Sequence, residues 1–214
     1  MSKVRVHISI SADGFVAGPN QSRENPLGEG GESLHDWAVP LRAFQELQGR
    51  EGGETNESNP VLEEAHTNVG AEIMGRGKFG GGPGPWSEPL WEGWWGSDPP
   101  FHFPVFVLTH HEREPLTLSD TTFTFVTDGI ESALEQARAG AGDKDVTIGG
   151  GADAINQYLA AGLVDELELH VVPLLLGGGA RLFEGVGPDV SLERIRTVEA
   201  PGVTHVKYRV GSAN

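Results

Sequence analysis

"KDVTIGGGADAINQYL", residues 144–159, sets a short apolar strand against a helix with three consecutive glycines at the joint. Each glycine raises the entropy cost of folding by roughly 0.5–1 kcal/mol relative to alanine, so the run calls for a geometric reason. Two are available: a tight turn, or the close approach of a ligand to the main chain. In a parallel sheet the carboxyl ends of the strands and the N-termini of the following helices share one edge, where backbone N–H groups converge on bound anions.

The flanking segments fit such a sheet. "VRVHISIS" (4–11) alternates Val4, Val6, Ile8 and Ile10 on one face, and "VFVLT" (105–109), "TFTFVTD" (122–128) and "ELELHVVP" (166–173) read as further strands. "GIESALEQARAG" (129–140) is a helix with Ile130, Ala133, Leu134 and Ala137 on one side. A helix around "PLRAFQELQG" (40–49) opens at Pro40 and stops at Gly49. Another is capped by Ser58 or Asn59, carries Pro60, Glu63 and Glu64 early, and stops at Gly70 ahead of the strand "AEIMG" (71–75). The chain closes on "LERIRTVEA", the turn "PG" and "VTHVKYRV", an antiparallel pair. This order predicts an α/β fold of three layers, αβα, around a mostly parallel mixed sheet with a C-terminal antiparallel hairpin.

At 214 residues the chain suits one domain, 1–214, able to bury about 70% of its unfolded surface. Its 31 Gly and 14 Pro predict large ordered loops. A formal net charge of −16 argues against nucleic acid or an anionic membrane as partner, because both require a basic footprint. With no Cys there is no disulfide framework, thiol nucleophile or thiolate metal site. No apolar run approaches the roughly 18 residues of a membrane span, and "MSKVRVHISISADGF" lacks a signal-type apolar core, so a soluble cytoplasmic protein is expected. Residues 77–104 hold four of the five tryptophans, as a lid or wall for a flat ring or as core or dimer-interface material.

Two segments match a dinucleotide fingerprint on paper, "GRGKFG" (75–80) and "GGGADA" (149–154). The first is followed by "GGPGPW" rather than a helix, and the second lacks an acidic residue at the end of the next strand. Neither is a P-loop, since Phe79 follows Lys78. Both can still serve one anion: Arg76 and Lys78 lie just beyond one strand end, and His110, His111 and Arg113 just beyond another, a local cationic rim on an acidic chain. His110 and His111 lack a metal-binding motif, so no metal is expected.

"SADGFVAG", "IMGRGKF", "VFVLTHH" and "VTIGGGADAINQYLAAGLVDELELHVVPLLLGGGARLF" resemble the dihydrofolate reductase superfamily, and most of all the reductase domain of bacterial bifunctional riboflavin-biosynthesis enzymes and its stand-alone relatives. The resemblance implies a central eight-stranded mixed sheet, a homodimer and NADPH as hydride donor to a C=N or C=O bond of a small heterocyclic or sugar-derived substrate. It places Val16 and Ala17 in the loop over the nicotinamide. Gly75, Arg76, Gly77 and Lys78 would bind phosphate, and Leu108, Thr109 and His110 would flank the adenosine ribose and its 2′-phosphate. Gly149, Gly150, Gly151, Ala152 and Ala154 would hold the diphosphate and a nicotinamide edge.

Hydride transfer also needs a polarised or protonated acceptor. The carboxylate that dihydrofolate reductases carry on the helix before "MGR" falls near Asn59 here, which argues against folate as substrate and leaves Glu63, Glu64 and Asp13 as candidates. His170, mid-strand in "ELELHVV", is either a substrate contact and proton source or a satisfied sheet histidine. A nucleotide-binding protein without catalysis is the alternative from another class.

Overall fold

The computed structural model describes residues 2–212. The chain runs β1 (Val4–Ser11), β2 (Phe15–Ala17), a 3-10 turn (Gly31–His35), α1 (Arg42–Leu47), α2 (Ser58–His66), β3 (Val69–Gly75) and α3 (Arg76–Phe79). It continues through β4 (Val105–Leu108), β5 (Leu116–Leu118), β6 (Thr121–Val126), α4 (Ile130–Ala141), β7 (Asp145–Gly150), α5 (Ala152–Ala160) and β8 (Glu166–Val172). β9 (Ala180–Arg181), β10 (Val190–Ala200) and β11 (Val203–Ser212) complete it.

Among the described residues, nine strands form one sheet in the order β10-β11-β8-β1-β7-β3-β4-β6-β5. From β8 to β6 every neighbour is parallel, and antiparallel pairs lie only at the ends, β8–β11–β10 on one side and β6–β5 on the other. The sheet is therefore mostly parallel with a C-terminal hairpin, and it has nine strands rather than eight. The three-residue β5, which the sequence does not announce, lies at one edge.

The strands alternate as a half-apolar pattern demands. Val4, Val6, Ala71, Ile73, Val146, Ile148, Leu167 and Leu169 face α4 and α5, where Ala133, Leu134, Ile155, Tyr158 and Leu159 complete the main core. The opposite face carries Arg5, Ser9, Glu72, Glu168, His170, His205 and Lys207, all buried despite their polarity. α2 covers part of it, and Arg5 donates to the carbonyls of Glu64, Ala65 and Thr67 at the end of that helix.

Helix boundaries differ from the sequence-based expectation for local reasons. α1 starts at Arg42 because Leu41 is extended, and the Pro40 carbonyl instead accepts from Glu54 N–H at 2.7 Å. α2 ends at His66, and Asn68, at φ 60°, turns the chain into β3. Gly70 thus lies inside β3 rather than at a helix stop; a methyl group there would sit 2.7 Å from the Ala141 carbonyl, so glycine lets the end of α4 pack close.

Ile155 is fully buried between the sheet and α4. Ile155→Ala should lower the unfolding free energy by about 2–5 kcal/mol in urea denaturation, whereas a loss below about 1 kcal/mol would mean that this layer is not the core.

Candidate functional site

β3 lies between β7 and β4, parallel to both, so three strand ends meet at one rim. Met74 pairs with Gly150 and Gly75 with Leu108. The chain leaves β7 through Gly150, at φ 112°, and a cis Gly150–Gly151 peptide, and α5 starts at once. A methyl on Gly75 would come within 3.8 Å of the Gly150 carbonyl and Gly151 N–H, while methyls on Gly77 or Gly151 would meet nothing within 4 Å. The glycines bring two main chains together and leave the space above them open. Ala152 and Ala154, both small, occupy the first turn of α5.

Arg76 sits on this rim. Its guanidinium stacks 3.7 Å from the Trp86 ring, and Nη1 donates to the Gly84 carbonyl at 2.6 Å. Nε and Nη2 are buried without a partner among the described residues. The tryptophan segment forms the wall: Trp86 Nε1 donates to the His111 carbonyl, Trp91 Nε1 to that of Phe79 and Trp94 Nε1 to that of Lys78, at 2.8–3.0 Å. The last two bonds fix the one-turn helix α3, in a stretch whose glycines predict no helix. Leu108 ends β4 and Thr109 follows it, His110 is exposed beside them, and Val16 and Ala17, in β2, line the same cleft of about 1450 Å³.

Below the rim the cleft reaches the polar sheet face. Lys78 does not stand free for phosphate, contrary to the sequence-based expectation: Nζ donates to Glu72 Oε1 at 2.6 Å. A methyl on Gly149 would overlap that carboxylate and lie 2.5 Å from Nζ, so this glycine makes room for the ion pair rather than for a diphosphate. Beyond it lie His7, His35, Trp37 and His170. Trp37 Nε1 donates to Ser9 Oγ at 3.1 Å, and its ring centre is 4.9 Å from those of both His170 and His205. Burial pushes the His7 imidazole down to about 3, aided by Arg5 and Lys207, and it lowers His35 as well. His170 is held well below the usual imidazole range, first by burial and then by His205 and His7. His170 is therefore neutral at pH 7 and does not act as an imidazolium proton source.

Two other candidates fall away from the chemistry. Glu63 lies on the outer face of α2, exposed and paired with Arg42 at 2.7 Å, and does not line the cleft. α2 starts at Ser58 and has no acid in its first turn, so Glu63 is not a partner of the helix N-terminus as its early position suggests. Asp13 accepts from Ser11 Oγ at 2.6 Å, Leu176 N–H at 3.1 Å and Gly177 N–H at 2.7 Å, so it ties the loop after β1 to the loop after β8.

Sequence reasoning missed Ser9, Trp37, Glu72 and His205. The signal was present in the polar half of each strand's alternation: Arg5, His7 and Ser9 in β1, Glu168 and His170 in β8, and His205 and Lys207 in β11. A solvated second face accounts for such residues equally well, and only the covering by α2 and Trp37 shows that this one is buried.

The sheet order, the hairpin edge and the cleft at the parallel strand ends define an α/β protein with the dihydrofolate reductase-like fold. The family model of the RibD C-terminal domain matches residues 2–206, and the chain belongs to that family. A Shewanella sp. PV-4 structure assigned to riboflavin biosynthesis superposes with TM-score 0.66 at 22% identity over 98% of this chain and 99% of that one. The Enterococcus faecalis dihydrofolate reductase, solved with NADP(H), gives TM-score 0.51 at 13% identity over 99% and 97%. A Bacillus subtilis (strain 168) protein named YyaP is 32% identical over 90 residues, which are 42% of this chain and 47% of that protein. The match thus spans about half the length of this curated relative.

The Asp13 carboxyl is depressed to about 2, first by the Ser11 hydrogen bond and then by the Gly177 and Leu176 amides, against burial that opposes it. A depressed acid stabilises the fold above its unfolded pKa of 3.8 and loses that contribution as pH falls through about 2. The stability difference between wild type and Asp13→Asn should be constant from about pH 8 to 5 and shrink between about pH 4 and 2; a difference independent of pH would contradict the clip.

Proposed function

We propose that the chain is an NADPH-dependent reductase that delivers hydride to a C=N or C=O bond of a small heterocyclic or sugar-derived molecule related to the riboflavin pathway. The observation that carries this reading is the Arg76 side chain, with two buried N–H groups unpaired among the described residues, beside Gly77 and Gly151, where a methyl would meet nothing within 4 Å and a ligand has room against the main chain. Such donors fit an anionic nucleotide. The cleft volume of about 1450 Å³ exceeds the roughly 300–1,000 Å³ of a site for one small ligand, which suits a cofactor and a substrate together.

The cofactor, when bound, supplies the hydride. Arg76, Gly75, Gly77, Gly150, Gly151, Ala152 and Ala154 would hold its phosphates, with Leu108, Thr109 and His110 along the ribose and Val16 and Ala17 across from them. Trp86 keeps the Arg76 guanidinium flat and oriented, and Trp91 and Trp94 hold α3 in place through their hydrogen bonds to its carbonyls. Lys78 Nζ, held by Glu72, and the His170 ring offer hydrogen-bond donors to the acceptor in the pocket, and Trp37 excludes water from its end. Asp13 takes a positioning role, and Glu63 takes none. The chain would work as a single domain, 1–214, in a cytoplasmic homodimer.

Replacement Arg76→Ala should weaken NADPH binding about tenfold to a hundredfold, the loss of a charged hydrogen bond of about 1.5–3 kcal/mol, with less effect on NADH. Calorimetry with both nucleotides checks it. Unchanged preference would remove Arg76 from the phosphate site, and binding without NADPH consumption in a carbonyl and imine screen would favour a non-catalytic binding protein.

A further inference from the structure

We propose that Ser58 and His205 are positioning residues that fix the tautomer of His170, so that His170 presents an Nε2–H donor to the cleft and meets an acceptor oxygen of the ligand there. The geometry is a chain of three buried side chains. Ser58 Oγ lies 2.9 Å from His205 Nε2, and His205 Nδ1 lies 2.8 Å from His170 Nδ1. Ser58 and His205 are both fully buried, and His170 is 5% exposed.

The direction of the chain follows from Ser58. Among the described residues, its Oγ has no hydrogen-bond partner except His205 Nε2. A hydroxyl hydrogen sealed from water without an acceptor costs about 1–3 kcal/mol, whereas a spare oxygen lone pair is more readily tolerated. Ser58 therefore donates, and His205 Nε2 accepts. A neutral imidazole carries one hydrogen, so that of His205 is on Nδ1 and is donated to His170 Nδ1. The hydrogen of His170 is then on Nε2. This nitrogen has no hydrogen-bond partner among the described residues, yet it is not among the buried unpaired atoms, and His170 lines the cleft. Both rings stay neutral at pH 7, since burial lowers His205 to about 4 and His170 well below its usual range.

Trp37 keeps the pair in register, its ring centre 4.9 Å from each imidazole. Ser58 opens α2, so the helix that covers the polar face also sets the hydrogen-bond direction. A ligand atom facing His170 must accept; a carbonyl or hydroxyl oxygen does so, and an N–H group of a protonated imine does not. That this ligand is the hydride acceptor rests on the reading under Proposed function, whereas the tautomer does not.

The test is histidine ¹⁵N NMR of the full chain at pH 7 without cofactor, using two-bond correlations from the carbon-bound ring protons and assignment by single His→Gln variants. The expected pattern is His205 protonated on Nδ1 and His170 protonated on Nε2. The reverse order in the wild-type chain overturns the proposal. Ser58→Ala removes the donor that sets the direction, so the His170 Nε2 signal should move from the protonated towards the bare position as both tautomers populate. An unchanged pattern in folded Ser58→Ala overturns the role of Ser58. Failure of NADPH to bind in calorimetry would count against the reductase reading alone, since the tautomer is measured in its absence.

Discussion

Parallel pairing of β3 with β7 on one side and β4 on the other is the constraint on which the rest of the molecule depends. Because the three strands run the same way, their carboxyl ends meet at a single rim, and the Gly75 and Gly150–Gly151 main chains approach each other there. Gly150 holds a positive φ that other residues rarely adopt, and a methyl on Gly149 would overlap the Glu72 carboxylate, which is why glycines cluster where the strands end. The one-turn α3 then carries Arg76 onto the rim, and the tryptophan segment fastens it. The same parallel frame leaves α5 with its free N–H groups directed towards the cleft.

The sheet's second face works under a different rule. Charged and polar groups buried there must be paired, because removing them from water is expensive. Arg196 meets Glu168 at 2.7 Å and also Glu64; Lys207 meets Glu64 at 2.6 Å and Glu166 at 3.0 Å; Arg5 meets Asp145 at 3.5 Å. These partners come from α2, β1, β7, β8, β10 and β11, so the network joins the covering helix and the C-terminal hairpin to the parallel strands. Towards the strand ends charge gives way to neutral imidazoles, and the ion pair Glu72–Lys78 marks where the polar face opens into the cleft. This end of the cleft is thus polar, with the Glu72 and Lys78 charges paired.

Much of this was legible in the sequence, and what was not has physical causes. The apolar alternation in β1 and the strand–glycine–helix joint at 144–159 identify the parallel α/β core because both depend on neighbours within a few residues. The fates of Lys78 and Asp13 depend on partners 6 and 163 residues away, Glu72 in one case and Leu176 in the other. The second is beyond any local pattern, and the first needs the knowledge that Glu72 faces inward. Trp37 sits in a glycine-dotted acidic stretch whose composition reads as loop, and its place against His170 and His205 is set only when the 3-10 turn packs on β1 and β2. Glu63 lies in the helix before "MGR", yet the helix turns that residue outward to Arg42.

In the proposed reading, three strand ends together form one nucleotide site. Hydrogen exchange of the backbone amides, with and without saturating NADPH, tests it most directly. Joint slowing is expected at residues 75–77, 108–110 and 150–154, with the hairpin β10–β11 unchanged. Slowing at one of these segments alone, or at none, would contradict it.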